Sequence, residues 1–134
     1  LVLTKVEAAA RQTEAAIDAM ERGDHDIAVT LAGAAEGMLP ALPDQPVFAG
    51  MRDKRPADWS EKDWVRALNW ERDWLKHEAE HAPDTLDIGL TDAAYMIVRA
   101  MAKLPTWSAR MKQFKAWFFS EFLPPEFRYG SKNA

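Results

Sequence analysis

The sequence predicts an all-α fold: a single-domain helical bundle of about five helices with one long Pro-rich loop at residues 40–57. Three observations lead there. Apolar residues recur every three or four positions through most of the chain, which is the spacing of one helix face. They make up 48% of the 134 residues, with six Trp and six Phe among them, enough to bury a core in one domain of this length. The prolines Pro40, Pro43, Pro46 and Pro56 gather between apolar runs, where a helix cannot continue. The bundle is expected over residues 1–127, followed by a flexible tail at 128–134.

The first helix is expected from Thr4 to Arg22. Thr4 and Glu7 have the spacing of a capping box, Val6, Ala9, Ala10, Thr13, Ile17 and Met20 fall at helical spacing, and Gly23 is a natural stop. The second runs from Asp24 to Leu39. Its apolar stripe is read as Ile27, Leu31, Ala34, Ala35 and Met38, while Ala28, Ala32, Gly33 and Gly37 keep it slim enough for a neighbour to approach closely. Val47, Phe48 and Met51 are expected to pin the following loop to the core. A third helix is predicted from Trp59 to Ala82, started by Asp58/Glu61 or Ser60/Asp63 and stopped by Pro83. Trp64, Val65, Leu68, Leu75 and Ala79 share one of its faces; Trp70, Trp74, His77 and His81 share the roughly opposite one. A helix with two apolar faces is either central in a bundle or covered by another subunit. The fourth helix, Thr91 to Leu104, has little polar surface and is expected to be buried. The fifth, Ser108 to Phe122, points Met111, Phe114, Phe118 and Phe122 inward, leaving Trp117 and Phe119 available for a partner.

Charge and composition narrow the function. The net charge is −4, but residues 93–134 hold seven Lys/Arg against two Asp/Glu, a bias that can guide an anionic partner such as RNA. Cysteine is absent, which removes disulfides and thiolate metal sites and favours a cytoplasmic setting. Leu1-Val2-Leu3 is too short for the apolar core of a signal peptide, and no run is long enough for a membrane span.

The residues with chemical potential lie in Asn69–His81, NWERDWLKHEAEH. His77-Glu78-Ala79-Glu80-His81 reads H-E-x-x-H. On a helix the two His would share one face and one zinc, and the Glu would polarise bound water. The five residues resemble the zincin metalloprotease motif. They depart from it in the charged Glu80, in Pro83 just beyond, and in Asp84 where the extended motif has Gly. A third ligand would have to be Glu121 or Glu126. No cofactor is expected beyond zinc or another divalent metal held by His77 and His81.

Arg72 is followed after four residues by His77, which resembles the R-x4-6-H pattern of the HEPN superfamily of small helical domains. That resemblance implies a dimer in which Arg72 stabilises phosphate charge and His77 acts as acid or base in a metal-independent ribonuclease. Arg72 also lies on an otherwise apolar stripe, so it needs a charged partner or a subunit interface. The third resemblance spans more of the chain. Leu31, Ala32, Ala34 and Ala35 form an L-A-x-A-A helix, and Asn69, Lys76 and His77 sit in N-W-x-x-x-W-L-K-H, similar to an uncharacterised bacterial all-helical family. It implies no established activity. Asn69, Lys76, Trp70 and Trp74 are expected as binding residues in their own right. The leading expectation is a module that forms a homodimer or binds a protein partner, without catalysis.

Overall fold

The computed structural model describes residues 1–44, 47–78 and 82–122, and among these every regular element is helical. Seven helices follow in order: α1 Lys5–Glu21, α2 His25–Met38, α3 Val47–Asp53, α4 Glu61–Leu68, α5 Trp70–Lys76, α6 Leu90–Met101 and α7 Ala109–Phe122. The count exceeds the expected five or so for two reasons. The Pro-rich segment contains α3, and the predicted third helix is divided into α4 and α5. The expected tail at 128–134 lies outside the described residues, as do the side chains of Val47 and Phe48.

The start of α1 follows its capping box. The Thr4 hydroxyl accepts from the Glu7 N–H at 3.0 Å, and the Glu7 carboxylate accepts from the Thr4 N–H at 2.9 Å. Those bonds hold the exposed Glu7 carboxyl below its usual pKa, with the backbone bond the larger cause. Gly23 closes the α1–α2 turn at φ 85°, a conformation that costs a side-chain-bearing residue energy. The core is built by α1, α2 and α6, with α7 against one end. Ala9, Ala16, Ile17, Ala28, Val29, Ala32, Ala93, Ile97 and Met111 are almost wholly withdrawn from water.

The face that α2 buries matches the expected one only in part: Ala35 is buried and Leu31 and Met38 pack against the core, but Ile27 and Ala34 do not. It turns Ala28, Val29, Ala32, Gly33, Ala35 and Glu36 inward, while Ala34 is exposed and Ile27 is 44% exposed. The small residues win because α1 and α6 both lie against this helix, and a surface of Ala and Gly lets both come close. Burying Ile27 instead would gain more area on one helix but hold its neighbours apart.

The division of the predicted third helix falls at Asn69, whose backbone (φ −108°, ψ 7°) leaves the helical region. Neither α4 nor α5 contains a buried residue, although α4 is strongly amphipathic. Ser60, rather than Asp58, caps α4: its hydroxyl accepts from the Asp63 N–H at 3.1 Å, and Glu61 pairs instead with Arg52 on α3. At the far end the helix stops at Lys76, six residues short of Ala82, and His77 is already extended (φ −124°, ψ 143°). The Trp74 indole accounts for this. Its N–H donates to the Pro83 carbonyl at 2.8 Å. In a continued helix residue 83 would stand roughly 13 Å further along the axis, so the bond requires the chain to turn back beside α5.

Candidate functional site

Glu36 is a carboxylate only 5% exposed, on the inward face of α2 beside residues chosen for small size. A buried carboxylate without partners is costly, and three cations answer it. Arg72 Nη1 on α5 lies 3.1 Å from Oε2; Lys103 Nζ and Arg99 Nη2 lie 3.2 Å and 3.5 Å from Oε1. Lys103 also donates to the Glu36 backbone carbonyl at 2.8 Å. Arg99 is 3% exposed. Burial lowers its pKa, and the neighbouring Glu36 carboxylate opposes that shift.

This cluster fixes the α4–α5 junction. Arg99 donates to the Leu68 carbonyl at 3.0 Å, which a helix ending there leaves without an intrahelical partner, and to Asn69 Oδ1 at 2.9 Å. Asn69 is thus a positioning residue inside the fold. Gly33 makes the Arg72–Glu36 pair possible: a Cβ at position 33 would stand 2.8 Å from Arg72 Cγ and 2.9 Å from Cδ, so the arginine stem crosses α2 where no side chain intervenes.

The sequence-predicted residues distribute as follows. Arg72 is half-buried and engaged by Glu36 and by Asp73 Oδ1, 3.3 Å from its Nε. His77 is exposed beyond the end of α5, its backbone N–H donating to the Asp73 carbonyl at 2.9 Å, and Lys76 is exposed beside it. The two elements of the nuclease pattern therefore have different surroundings. His81 lies outside the described residues, with Ala79, Glu80 and Glu126. Because the helix ends before His77, the spacing of His77 and His81 no longer sets both on one helical face. Among the described residues no group of three or more His, Asp or Glu side chains is gathered as a metal would need. Trp70 and Trp74 are partly exposed. Trp70 joins Trp59, Asp63, Arg66, Ala67 and Glu71 around a shallow groove on the outer side of α4 and α5.

A second acidic pair lies where α5 meets α6: Glu71, which also lines the outer groove, is near Asp92. The Glu71 pKa is raised, first by burial and then by the neighbouring Asp92. Asp92 is held in turn, accepting from the Gly89 N–H at 2.9 Å at the start of α6. Sequence reasoning missed Glu36, Arg99, Lys103, Glu71 and Asp92 as site residues. The available signal was their placement, with Glu36 inside a run of small residues and Arg99 inside the apolar α6.

No family model, no curated protein and no solved structure matches the chain. Among the described residues no helix is long and apolar enough to cross a membrane.

Proposed function

We propose that the chain is a single-domain helical bundle whose work is to dock, and that its partner is a second copy of itself. The observation that carries this reading is the α4–α5 arm. It holds four of the six Trp with its preceding turn, buries no residue of its own, and leaves Trp59 42% exposed. An apolar surface of this kind on the outside of a domain is the usual mark of an interface.

The lining of the groove suits a self-complementary pairing about a twofold axis. If two arms pair antiparallel with the axis between Leu68 and Asn69, Arg66 meets Glu71 of the second copy and Ala67 meets its Trp70. One pair is opposite in charge and the other fits a large side chain over a small one, as an isologous interface requires. Against the ribonuclease reading stands the engagement of Arg72: to bind phosphate it would have to leave two carboxylates, one of them buried. The absence of cysteine favours a reducing compartment such as the cytoplasm.

Sedimentation velocity over a concentration series tests the proposal. A dimer is expected for the native chain and a monomer for Arg66→Glu, which sets two carboxylates face to face. The exchange Arg66→Glu with Glu71→Arg should restore the dimer. A native chain that stays monomeric at all concentrations overturns the reading.

A further inference from the structure

The helices α3 and α4 hold each other more firmly than they hold the body of the fold. The Trp64 indole N–H donates to the Met51 carbonyl at 2.9 Å, and Arg52 pairs with Glu61. In the turn between the two helices Arg55 donates to the Trp59 carbonyl at 2.7 Å, and the Trp59 and Trp64 rings meet edge to face with centroids 5.8 Å apart. Against the body the fit is looser. No residue of α4 is buried, and a half-open cavity of about 190 Å³ separates Met51, Ala67 and Leu68 on the hairpin from Val29 on α2 and Met96 on α6. We infer that the α3–α4 hairpin is a lid that swings as one piece about Asn69 and uncovers Val29 and Met96.

The gap and the hinge together favour this motion. Across the cavity the two surfaces forgo the close contacts that hold packed helices together, so parting them loses little dispersion energy. The bonds inside the hairpin survive the movement, because both of their partners travel with it. Asn69 already stands outside the helical region (φ −108°, ψ 7°), as a residue that absorbs a change of direction would. On its far side α5 is anchored to α2 through Arg72 and Glu36. At the other end of the hairpin, residues 39–44 form no helix. Arg99 clasps the hinge by donating to the Leu68 carbonyl and to Asn69 Oδ1, and so sets how readily the lid lifts. Opening by a unit of this kind takes less free energy than unfolding the chain. Hairpin, gap and hinge belong to one chain, so the inference does not rest on self-association.

Thiol labelling tests the inference, since the chain has no cysteine of its own. Met96→Cys places one thiol beneath the lid, where Met96 is 5% exposed, and Ile17→Cys places one in the core, where Ile17 is 1% exposed. Each variant is labelled with 5,5′-dithiobis(2-nitrobenzoic acid), and its rate is divided by its own unfolding rate from circular dichroism. The Met96→Cys thiol should react about a hundredfold faster by this measure than the Ile17→Cys thiol. Its rate should also depend less on urea, because lifting a lid exposes less surface than unfolding. Adding Asn69→Ala removes one bond of the clasp, so it should speed the Met96→Cys reaction about fivefold and leave Ile17→Cys unchanged. Amide exchange of α4 should be slower than the thiol reaction, because the hairpin moves without melting. Equal normalised rates, equal urea dependence, no separate effect of Asn69→Ala, or α4 amides exchanging as fast as the thiol reacts would each overturn the proposal. Ala67 and Glu71 border both the cavity and the outer groove, so the labelling is repeated in Arg66→Glu, where a second copy cannot brace the lid. Fast labelling there stands whether or not the native chain dimerises, and slow labelling there overturns the lid alone.

Discussion

Replacing Glu36 with Gln keeps the volume of the side chain and removes the carboxylate that, among the described residues, meets Arg72, Arg99 and Lys103 together. The cost follows from what remains. Arg99 stays buried and cationic, but retains Leu68 O at 3.0 Å and Asn69 Oδ1 at 2.9 Å. Lys103 retains the backbone carbonyl of residue 36 at 2.8 Å and can turn its ammonium to water, since its side chain is 18% exposed. Arg72, at 24% exposure, retains Asp73. Breaking a buried ion pair by deleting one partner costs about 3–5 kcal/mol, and these surviving bonds set the expectation at the lower end, about 3 kcal/mol. For a chain of this size each kcal/mol moves the midpoint by about 4 °C, so the melting temperature should fall by about 12 °C. Thermal and urea unfolding followed by circular dichroism measure it. Arg72→Met should cost less, about 1 kcal/mol, because two cations still hold Glu36. The double variant should be less destabilised than the sum of the two, as expected for residues in one network. A midpoint within about 2 °C of the native chain for Glu36→Gln, or strict additivity with Arg72→Met, would refute the account of the cluster.

Gly33→Ala brings a Cβ against the Arg72 stem, so Arg72 should leave Glu36 and the chain should lose about 1 kcal/mol; in an Arg72→Ala background the same change should instead stabilise by about 0.5–1 kcal/mol, the ordinary gain of Ala over Gly in a helix. Glu71 has a raised pKa in the fold, so the native state holds more protons than the unfolded one. Its contribution is present below the unfolded carboxyl value and is lost as pH rises through the folded one. Melting curves from mildly acidic to neutral pH should therefore fall more steeply for the native chain than for Glu71→Gln, Asp92 being the neighbouring charge that acts on it, with Tyr95 and Arg99 lining the same pocket and Asp63 and Arg66 the outer groove. Arg110 pairs with Asp18 and Glu21, tying α7 to α1 and raising its own pKa. The pairs are largely exposed, so Arg110→Gln should cost less than about 1 kcal/mol and the difference should vanish in high salt.

What could be read from the sequence was local. The capping box at Thr4, the stop at Gly23 and the inward stripe of Met111, Phe114 and Phe118 each depend on residues within a few positions of one another, and each matches the structure. The face of α2 could not be read in that way. Hydropathy ranks Ile27 above Ala28, but the choice between them belongs to α1 and α6, which reward small residues by approaching. The break at Asn69 is similar. No Pro or Gly marks it; a guanidinium from α6, thirty residues further along the chain, holds the exposed carbonyl and the Asn side chain.

The cluster at Glu36 was hidden for the same reason, yet it left a mark. Glu36 and Arg99 each interrupt a stretch that is otherwise apolar or small, Arg72 falls on an otherwise apolar helical stripe, and a charge carried into a core is stable only with an opposite charge waiting there. Arg72 alone, taken from the sequence, calls for a charged partner or a subunit interface; its neighbour Asp73 does meet it, but the buried partner is Glu36, thirty-six residues away. Considering all three interruptions together balances the signs differently: one inward carboxylate on α2 against two inward guanidiniums on α5 and α6. The gap at Gly33, one helical turn before Glu36, supplies the passage that such a pairing needs. Misplaced charges in a single sequence are therefore better matched to one another across helices before any of them is assigned to catalysis.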